Sequence, residues 1–378
     1  MKIGIITYHH YDNYGTMLQA LALQKAIEKL GCECEIIDYH QSVKPKGINL
    51  IKMRFQMIPT YIRNFKKYYV VKKSSVYSSE RHTDFEEFYK KYLKVSNESY
   101  SSFEDLLNNP PKYDFYVVGS DQTWNPNVGA NRSPFYLKFV KDSSKKGSYA
   151  PSVGLSVLSS KHYNELKEGL KDFKWLSCRE KTGAELLKKV TGKDIPTVLD
   201  PTLLLKDTEW NKYEVSEVIG KPYILMYFLG ERKDCREYVT ELSKKYDLEI
   251  VTLPHNYVDL NRIDGNSKFI GPAKFLNLIK NAELICTDSF HGTAFSINYK
   301  KPFYSFCKRK EKESNSDNSR IPNLLASLGL EDRLISDSVL KDNYDIDYSL
   351  AEIKLNDLRN RSLDYLSNML NETFERED

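Results

Sequence analysis

The first forty residues alternate between short apolar runs and an amphipathic segment. Residues 2–7 are an apolar run that predicts a strand, and residues 17–30 carry apolar side chains at helical spacing. Gly31 follows that segment, as glycine often does after the last turn of a helix, and residues 34–38 form a second apolar run. Two strands joined by a helix predict a parallel βαβ unit.

The same alternation continues through most of the chain. It predicts further strands at 115–118, 146–150, 175–179, 223–228, 249–253, 283–287 and 302–305, and helices near 182–190, 234–246, 273–281 and 293–299. Strands that alternate with helices indicate parallel sheets with crossover connections. Because a fresh set of strands begins after residue 221, we predict an α/β protein with two Rossmann-like parallel-sheet domains that face each other across a cleft.

The domain boundaries follow from this pattern. We predict an N-terminal domain at residues 1–205 with a basic insertion at about 43–105, a linker at 206–221, and a C-terminal domain at 222–345. The polar helical pattern of residues 346–378 predicts a long final helix that packs back across the first domain.

One segment departs from the alternating pattern. Residues 43–73 contain nine Lys or Arg and no acidic residue, interleaved with aliphatic and aromatic side chains. Such a stretch can lie on an anionic membrane surface, and it can equally be a helix whose apolar face packs on the protein. Peripheral membrane contact through residues 43–73 is therefore one of two open interpretations.

Composition narrows the classes of protein. No apolar stretch reaches the roughly 20 residues that span a bilayer, and a net charge of +4 in 378 residues argues against nucleic acid as a general partner. The six cysteines show neither a disulfide framework nor metal-ligand spacing, so we expect a reducing, cytoplasmic location, no metal site and no bound cofactor.

The loops that follow strands are the expected ligand sites of open parallel sheets. In the first loop, residues 8–16, Gly15 lets the backbone approach a ligand, and the helix that follows offers free N–H groups to an anion. The loop has neither a dinucleotide fingerprint nor a P-loop. The alternative is an ordinary capped turn with Asn13 or Thr16 as the cap.

The second loop, residues 118–126, is crowded with polar groups. A capping turn would explain Ser120 and Asp121, but it leaves Gln122, Trp124 and Asn125 without a role. This surplus of polar and aromatic groups at one strand end predicts a binding site.

Three further strand ends carry candidate residues. Arg179 follows the predicted strand at 175–179, where a surface ion pair is the alternative. Asp288, Ser289 and His291 open a predicted helix; a helix cap explains one of the first two but not His291 as well. His255 follows the strand at 249–253 and is a weaker candidate.

Several of these loops lie in longer blocks that resemble the polysaccharide pyruvyl transferase family. The blocks are NYGTMLQALALQ (13–24), VGSDQTWNP (118–126), SCREKTG (177–183), LDPTLLL (199–205), IGPAKFL (270–276) and TDSFHGTAFSINYKKPF (287–303). The resemblance covers roughly residues 1–335. It implies two Rossmann-like domains similar to those of two-domain inverting glycosyltransferases, and transfer of a pyruvyl group from phosphoenolpyruvate to a pair of sugar hydroxyls, giving a ketal and phosphate.

The resemblance also implies site residues. His291 stands at the family's catalytic or donor-binding histidine, and Arg179 at a cleft arginine. Some members carry Arg-Leu-His where this chain has Ser289-Phe290-His291. The arginine that would meet the donor is missing, so we expect Arg320 or His9 to substitute for it.

Phosphoenolpyruvate chemistry requires an acid, a base and cationic donors. We expect His291 to protonate the donor or neutralise its phosphate, Asp121 or Asp288 to be the base, and Trp124 to stack on a sugar. The donor-binding candidates are Arg179, His9, Asn13, Gly15, Ser289 and Arg320. The acceptor-binding candidates are Gln122, Trp124, Asn125 and His255. Replacing His291 or Arg179 by alanine should abolish turnover without unfolding the protein.

Two alternatives remain at this point. A nucleotide-sugar-dependent glycosyltransferase would share the architecture and differ in its donor, and a non-catalytic carbohydrate-binding protein would bind the acceptor without turnover. For the pyruvyl transferase, the expected partners are phosphoenolpyruvate and a carbohydrate acceptor of surface polysaccharide or capsule synthesis, with a lipid-linked acceptor as one option. That option would place the enzyme at the inner face of the membrane.

Overall fold

The computed structural model describes residues 1–40, 75–129, 131–308, 319–336, 340–341 and 343–374. The segment 43–73, for which membrane contact is one interpretation, lies outside the described residues. Within the described part, no helix is both long and apolar enough to cross a membrane.

The first sheet has five parallel strands in the order β3-β2-β1-β4-β5. They are β1 (Lys2–Ile6), β2 (Glu33–Tyr39), β3 (Val95–Tyr100), β4 (Phe115–Val118) and β5 (Lys146–Ser148). In the central strand, Ile3 lies opposite Cys34 on one side and Phe115 on the other. The helices of this half are α1 (Tyr14–Lys29), α2 (Ser75–Tyr92), α3 (Phe103–Asn108), α4 (Ser160–Leu170) and α5 (Lys181–Thr191).

The second sheet is also parallel, with the order β10-β9-β8-β6-β7. Its strands are β6 (Tyr223–Tyr227), β7 (Glu249–Thr252), β8 (Leu284–Thr287), β9 (Phe303–Phe306) and β10 (Leu334–Ile335). The helices that follow the first sheet are α6 (Asp207–Trp210), α7 (Lys233–Tyr246), α8 (Tyr257–Leu260), α9 (Pro272–Asn281), α10 (Phe290–Asn298), α11 (Arg320–Leu328) and α12 (Ser349–Phe374). The prediction of two Rossmann-like parallel-sheet domains is confirmed.

The strand orders fix where ligands can enter. In the first sheet the order reverses between β1 and β4, and in the second sheet between β6 and β8. At such a switch point the connections leave to opposite faces of the sheet, which opens a crevice at the carboxyl ends of the two central strands. The loops after β1, β4, β6 and β8 are therefore the ones that build a site.

Two parts of the chain differ from the sequence pattern. Residues 95–100, inside the predicted insertion, form the edge strand β3. The run at 175–179 is not a full strand: it makes only isolated bridges, Gly147 with Trp175 and Cys178 with Thr197. The exact domain boundaries stay a prediction.

The two halves share one apolar core. Tyr14 of α1 donates a hydrogen bond to the Ile270 carbonyl at 2.8 Å and stacks on Phe275 with ring centroids 4.2 Å apart. Asn298 of α10 donates to the carbonyl oxygens of Thr202 and Leu205. These contacts join the two halves at both helices.

Helix α12 returns to the first domain, as the sequence predicted. Tyr365 donates a hydrogen bond to the Ser148 carbonyl at 3.0 Å, and the hydroxyl of Ser362 accepts one from the Leu199 amide at 2.9 Å. The buried Arg359 donates to the Leu203 carbonyl at 2.8 Å. The helix thus covers the last strand of the first sheet and the segment that leads to the linker.

Candidate active site

A cavity of about 470 Å³ lies between the facing carboxyl edges of the two sheets. Eight of the residues singled out from the sequence line it: Asn13, Asp121, Gln122, His255, Asp288, Ser289, His291 and Arg320. The sequence reasoning missed other lining residues, among them Tyr8, Tyr11, Thr16, Phe290 and Lys308. The cavity is built by both domains, as expected for a cleft between two Rossmann-like units.

The N-terminus of α10 opens on this cavity. Ser289 is its N-cap, and the Ser289 hydroxyl accepts a hydrogen bond from the Gly292 amide at 3.2 Å. Every residue of the helix is buried, so its first turn is not part of the solvent-exposed surface. A helix N-terminus with free N–H groups and a positive dipole end favours an anionic ligand. Since its side chain is used as the cap, Ser289 meets a ligand through the backbone.

His291 lies in the first turn of α10 and is held by a residue that the sequence reasoning missed. Its Nε2 is 3.4 Å from Oδ2 of Asp200, which is completely enclosed. The same oxygen accepts hydrogen bonds from Arg179 Nη1 at 2.7 Å and Ser120 Oγ at 3.0 Å. The other oxygen of Asp200 accepts from the amide and hydroxyl of Thr202. Asp200 therefore ties His291 of one domain to Arg179 of the other.

The charge state of Asp200 follows from these partners. Burial alone would raise the pKa of its carboxyl group, but the neighbouring His291 and Arg179 and the Thr202 amide together hold that pKa well below its usual range. An ionised carboxylate beside an imidazole orients the ring and stabilises its charged form. The sequence signal for Asp200 is its position directly after the short β-forming run of residues 197–199 and before Pro201.

Arg179 does not line the main cavity. Its guanidinium stacks on the Phe290 ring at 4.3 Å and bonds Asp200, so it lies one layer behind the cavity wall. Its Nε and Nη2 atoms are buried and have no hydrogen-bond partner within the described part of the chain. The expectation that Arg179 contacts the phosphoenolpyruvate donor directly is therefore corrected. Arg179 instead holds Asp200 and Phe290 in place behind the cavity wall.

Gly15 leaves room for the His291 ring. A Cβ atom built on Gly15 would fall 1.9 Å from His291 Nδ1, far inside contact distance. The absence of a side chain at Gly15 thus allows the His291 ring to take its position. The predicted contact of Gly15 with the donor stays a prediction.

Replacing Gly15 with alanine should displace the His291 ring while leaving the helix sound, because alanine is a better helix former than glycine. We expect kcat to fall on the order of 100-fold, as for other angstrom-scale displacements of a catalytic group, and the free energy of unfolding to fall by about 1–3 kcal/mol, the usual cost of overpacking a buried site. Gly220→Ala is the matched control, since a Cβ there meets nothing within 4 Å. Equal kcat values for the two variants would contradict the packing of His291 against α1.

The two candidate bases differ in their surroundings. Both oxygens of Asp288 accept backbone hydrogen bonds, from Leu229 at 2.6 Å and Gly230 at 2.8 Å. Burial raises the pKa of Asp288, and these two donors offset part of that rise. Asp288 therefore holds the loop after β6 while it also lines the cavity, and its role as a base stays a prediction.

Asp121 is the better placed carboxylate. It lines the cavity, is only partly buried, and accepts hydrogen bonds from the Thr16 hydroxyl and the Gln122 amide, both at 2.9 Å. Its φ of 69° lies in the left-handed region, which costs a non-glycine residue energy and often marks a functional position. The loop geometry that imposes this φ also points the residue into the cleft between the domains.

Two of the predicted acceptor contacts are wrong. Trp124 is fully buried: its Nε1 donates to the Phe135 carbonyl at 3.0 Å and its ring packs edge-on against Phe173, so it cannot stack on a sugar. Asn125 is buried as well and donates to Gln122 Oε1 at 2.6 Å. Aromatic residues after a strand are often core residues of the next turn, which is the case here. Gln122 remains at the cavity wall.

His9 is also not in the cavity. Its Nδ1 lies 3.0 Å from the Thr7 carbonyl and its Nε2 3.2 Å from Asp38 Oδ1, on the opposite side of the loop from Tyr8. The proposal that His9 replaces the missing arginine is therefore corrected. Adjacent residues of an extended segment point to opposite sides, so Tyr8 enters the cavity and His9 does not.

The remaining cations of the cavity are Arg320 and Lys308. Arg320 begins α11, and Lys308 follows β9, so both reach the cavity from the second domain. His255 has one exposed face at the cavity mouth; desolvation of the ring and the charges of Arg81 and Lys308 lower its pKa, which keeps it neutral. The arrangement offers cations and a helix N-terminus to an anion, beside an oriented histidine and a carboxylate.

Comparison with known proteins agrees with the sequence blocks. The family model described as polysaccharide pyruvyl transferase matches residues 13–306. A search of the curated proteins finds no match.

Among solved structures, the chain is similar to UDP-GlcNAc 2-epimerase from Methanocaldococcus jannaschii, with 17% identity, TM-score 0.45, and 93% of this chain and 98% of that one covered. The corresponding enzyme from Neisseria meningitidis gives 12% identity, TM-score 0.42, and 95% and 99% coverage. An α-glucosyltransferase gives 9% identity, TM-score 0.47, and 98% and 95% coverage. At these identities and scores the similarity says nothing about the reaction, and the fold rests on the two strand orders.

Proposed function

The chain belongs to the polysaccharide pyruvyl transferase family, and we propose that it transfers the pyruvyl group of phosphoenolpyruvate to two hydroxyls of a sugar, with release of phosphate. The single observation that carries this proposal is His291 at the N-terminus of α10, oriented by Asp200, in a cavity that also holds Lys308 and Arg320. That set combines a proton donor with groups that bind a multiply charged anion.

The reaction balances without a redox partner. The methylene carbon of phosphoenolpyruvate gains a proton, and C2 becomes an oxocarbenium-like electrophile. One sugar hydroxyl adds to C2 and loses its proton; the C2–O bond to phosphate breaks, and phosphate leaves with both electrons of that bond. The second hydroxyl then adds and loses its proton, which completes the ketal. The site must therefore supply one acid and at least one base.

His291 is the proposed acid. Asp200 Oδ2 lies 3.4 Å from Nε2 of the ring and orients it, while hydrogen bonds from Arg179 and Ser120 hold Asp200 in place. Arg179 and Asp200 are thus positioning residues, and His291 is the group that meets the substrate.

Asp121 is the proposed base for the sugar hydroxyl. It comes from the first domain, whereas His291, Lys308 and Arg320 come from the second or its edge. Donor and acceptor would then bind to opposite walls of the cleft, with Tyr8 and Tyr11 beside the acceptor. Tyrosine rings offer an apolar face and a polar tip, which suits a sugar.

The biological setting is part of the proposal. The acceptor would be a surface polysaccharide precursor in the cytoplasm, with a lipid-linked form among the options.

Phosphoenolpyruvate should stabilise the protein without any divalent cation. The cavity lining supplies its cations from lysine and arginine, and a ligand that binds only the native state stabilises it by about 2.7 kcal/mol at 100 times its Kd. Lys308→Gln and Arg320→Gln should each weaken binding by roughly 10- to 100-fold, as expected for loss of a charge-assisted hydrogen bond. Thermal melting with increasing phosphoenolpyruvate, in the presence of a chelator, measures both effects.

Lys221→Gln is the control for this experiment, because Lys221 is an exposed lysine that pairs with Glu249. It should show the shift of the parent protein. A shift that appears only with a sugar nucleotide, or only with added magnesium or manganese, would favour the glycosyltransferase alternative instead.

A further inference from the structure

Three histidines gather around one carboxylate at the carboxyl ends of β1 and β2, outside the cavity. Asp38 Oδ1 lies 2.6 Å from His40 Nε2 and 3.2 Å from His9 Nε2. The ring of His10 lies 4.2 Å from that of His40, centroid to centroid. The hydroxyl of Tyr89 in α2 donates to the same oxygen of Asp38 at 3.1 Å. Neither the family match nor the proposed reaction gives this cluster a role.

The hydrogen bond of His9 fixes which nitrogen carries the proton. Its Nδ1 lies 3.0 Å from the Thr7 carbonyl, which can only accept, so Nδ1 is the donor. In the neutral ring, Nε2 is then an unprotonated lone pair that faces the Asp38 carboxylate at 3.2 Å. In that tautomer, His9 Nε2 and Asp38 Oδ1 are both acceptors and can bind the same cation.

We propose that His9, Asp38 and His40 form a binding site for a divalent transition-metal ion of the zinc class. One ligand atom from each residue, two imidazole nitrogens and one carboxylate oxygen, lie within 4.8 Å of one another. Bonds of about 2.0–2.2 Å in tetrahedral geometry place ligand atoms roughly 3.3 Å apart, which is within the spread seen here. A metal-bound histidine usually donates its second nitrogen to a carbonyl, as His9 does to Thr7.

The surroundings support this site. His9 is buried, and Asp38 and His40 are 15% and 30% exposed at the side chain, which leaves an entry path from solvent. Tyr89 and Ser96 anchor this end of β2 through the Asp38 carboxylate and amide, respectively.

The chemical class follows from the donor set. Two imidazoles and one carboxylate suit Zn²⁺ or Co²⁺, whereas Mg²⁺ prefers oxygen ligands in octahedral geometry. The site joins the loop after β1, whose Tyr8 enters the cavity, to the end of β2. Because the cluster lies outside the cavity, binding of a metal here is compatible with metal-independent binding of phosphoenolpyruvate.

Calorimetric titration of the chelator-treated full chain with Zn²⁺ tests the proposal, with Co²⁺ absorption and thermal melting as second readouts. We expect one Zn²⁺ per chain, a visible Co²⁺ ligand-field spectrum, a higher melting temperature with Zn²⁺, and no such effect with Mg²⁺. His40→Gln and Asp38→Asn should weaken Zn²⁺ binding by at least about 100-fold, since even loss of an outer-shell partner costs 10- to 100-fold.

His82→Gln is the matched control, because His82 is an exposed histidine that pairs with Asp12 at 3.0 Å elsewhere on the surface. It should bind Zn²⁺ as the parent does. His40 is partly exposed, so its variant should fold, and its melting curve without metal verifies this. Binding of less than one Zn²⁺ per chain by the parent, or equal affinity in folded His40→Gln, would overturn the proposal and leave the cluster as an imidazolium–carboxylate network.

Discussion

Replacing His291 with glutamine should lower kcat for pyruvyl transfer by about 10²–10⁴-fold, the usual contribution of a positioned acid or base. Glutamine keeps a hydrogen-bonding group of similar reach beside Asp200, so the buried carboxylate does not lose every partner on that side. The melting temperature should stay close to that of the parent. Steady-state phosphate release with an acceptor present, together with a melting curve, measures both quantities.

His162→Gln is the control for this substitution, because His162 is a partly exposed residue near the start of α4 that does not line the cavity. It should leave kcat unchanged. If folded His291→Gln had nearly the kcat of the parent, His291 would only line the cavity, and its assignment as the acid would be wrong.

Replacing Arg179 with methionine should destabilise the fold by about 3–5 kcal/mol, the usual cost of leaving one buried charge without its partner. The side chains of Arg179 and Asp200 are 1% and 0% exposed and are joined at 2.7 Å, so Asp200 would lose its shortest ionic contact. This differs from the sequence-based expectation that Arg179→Ala would leave the fold intact. Urea unfolding of the parent and the variant measures the difference.

The exposed pair of Lys188 and Asp194 supplies the control for Arg179. Its atoms also meet at 2.6 Å, but the side chains are 63% and 90% exposed, and solvent screens their attraction. Lys188→Met should therefore leave the unfolding midpoint close to that of the parent. A second variant, Arg179→Met with Asp200→Asn, should recover part of the lost stability, because it removes the uncompensated charge. Equal midpoints for Arg179→Met and the parent would contradict the buried-pair account.

The alternating pattern predicted the parallel sheets well because most strands are buried on both faces and read as continuous apolar runs, as β4 and β8 do. It failed for β3, whose sequence VSNESY is polar because an edge strand faces solvent. The run at 175–179 resembles a strand because most of its residues are buried, but it meets β5 only through an isolated bridge, Gly147 with Trp175.

The sequence predicted those site residues that directly follow a strand. It could not predict which way each side chain points. His291, Asp121 and Arg320 reach the cavity as expected. Trp124 points into the core instead, where its ring packs against Phe173. The tie between His291 and Asp200 joins residues 91 positions apart in sequence (291 − 200 = 91), which no local pattern could reveal.

The three-residue group of His9, Asp38 and His40 shows the same limit. Metal-ligand spacing along the sequence was absent, and the group forms only because β1 and β2 end side by side in the sheet. Sequence spacing detects sites built on one helix or one loop, whereas a sheet edge gathers residues from separate strands.

The most direct test of the central claim follows carbon-labelled phosphoenolpyruvate in the presence of a panel of nucleotide sugars and lipid-linked oligosaccharides. The account predicts that label moves to one acceptor as an acid-labile ketal, with one phosphate released for each pyruvyl group transferred, in the presence of a chelator. If label stays in phosphoenolpyruvate while a sugar moves from a nucleotide sugar to an acceptor, the protein is a glycosyltransferase and the account is contradicted.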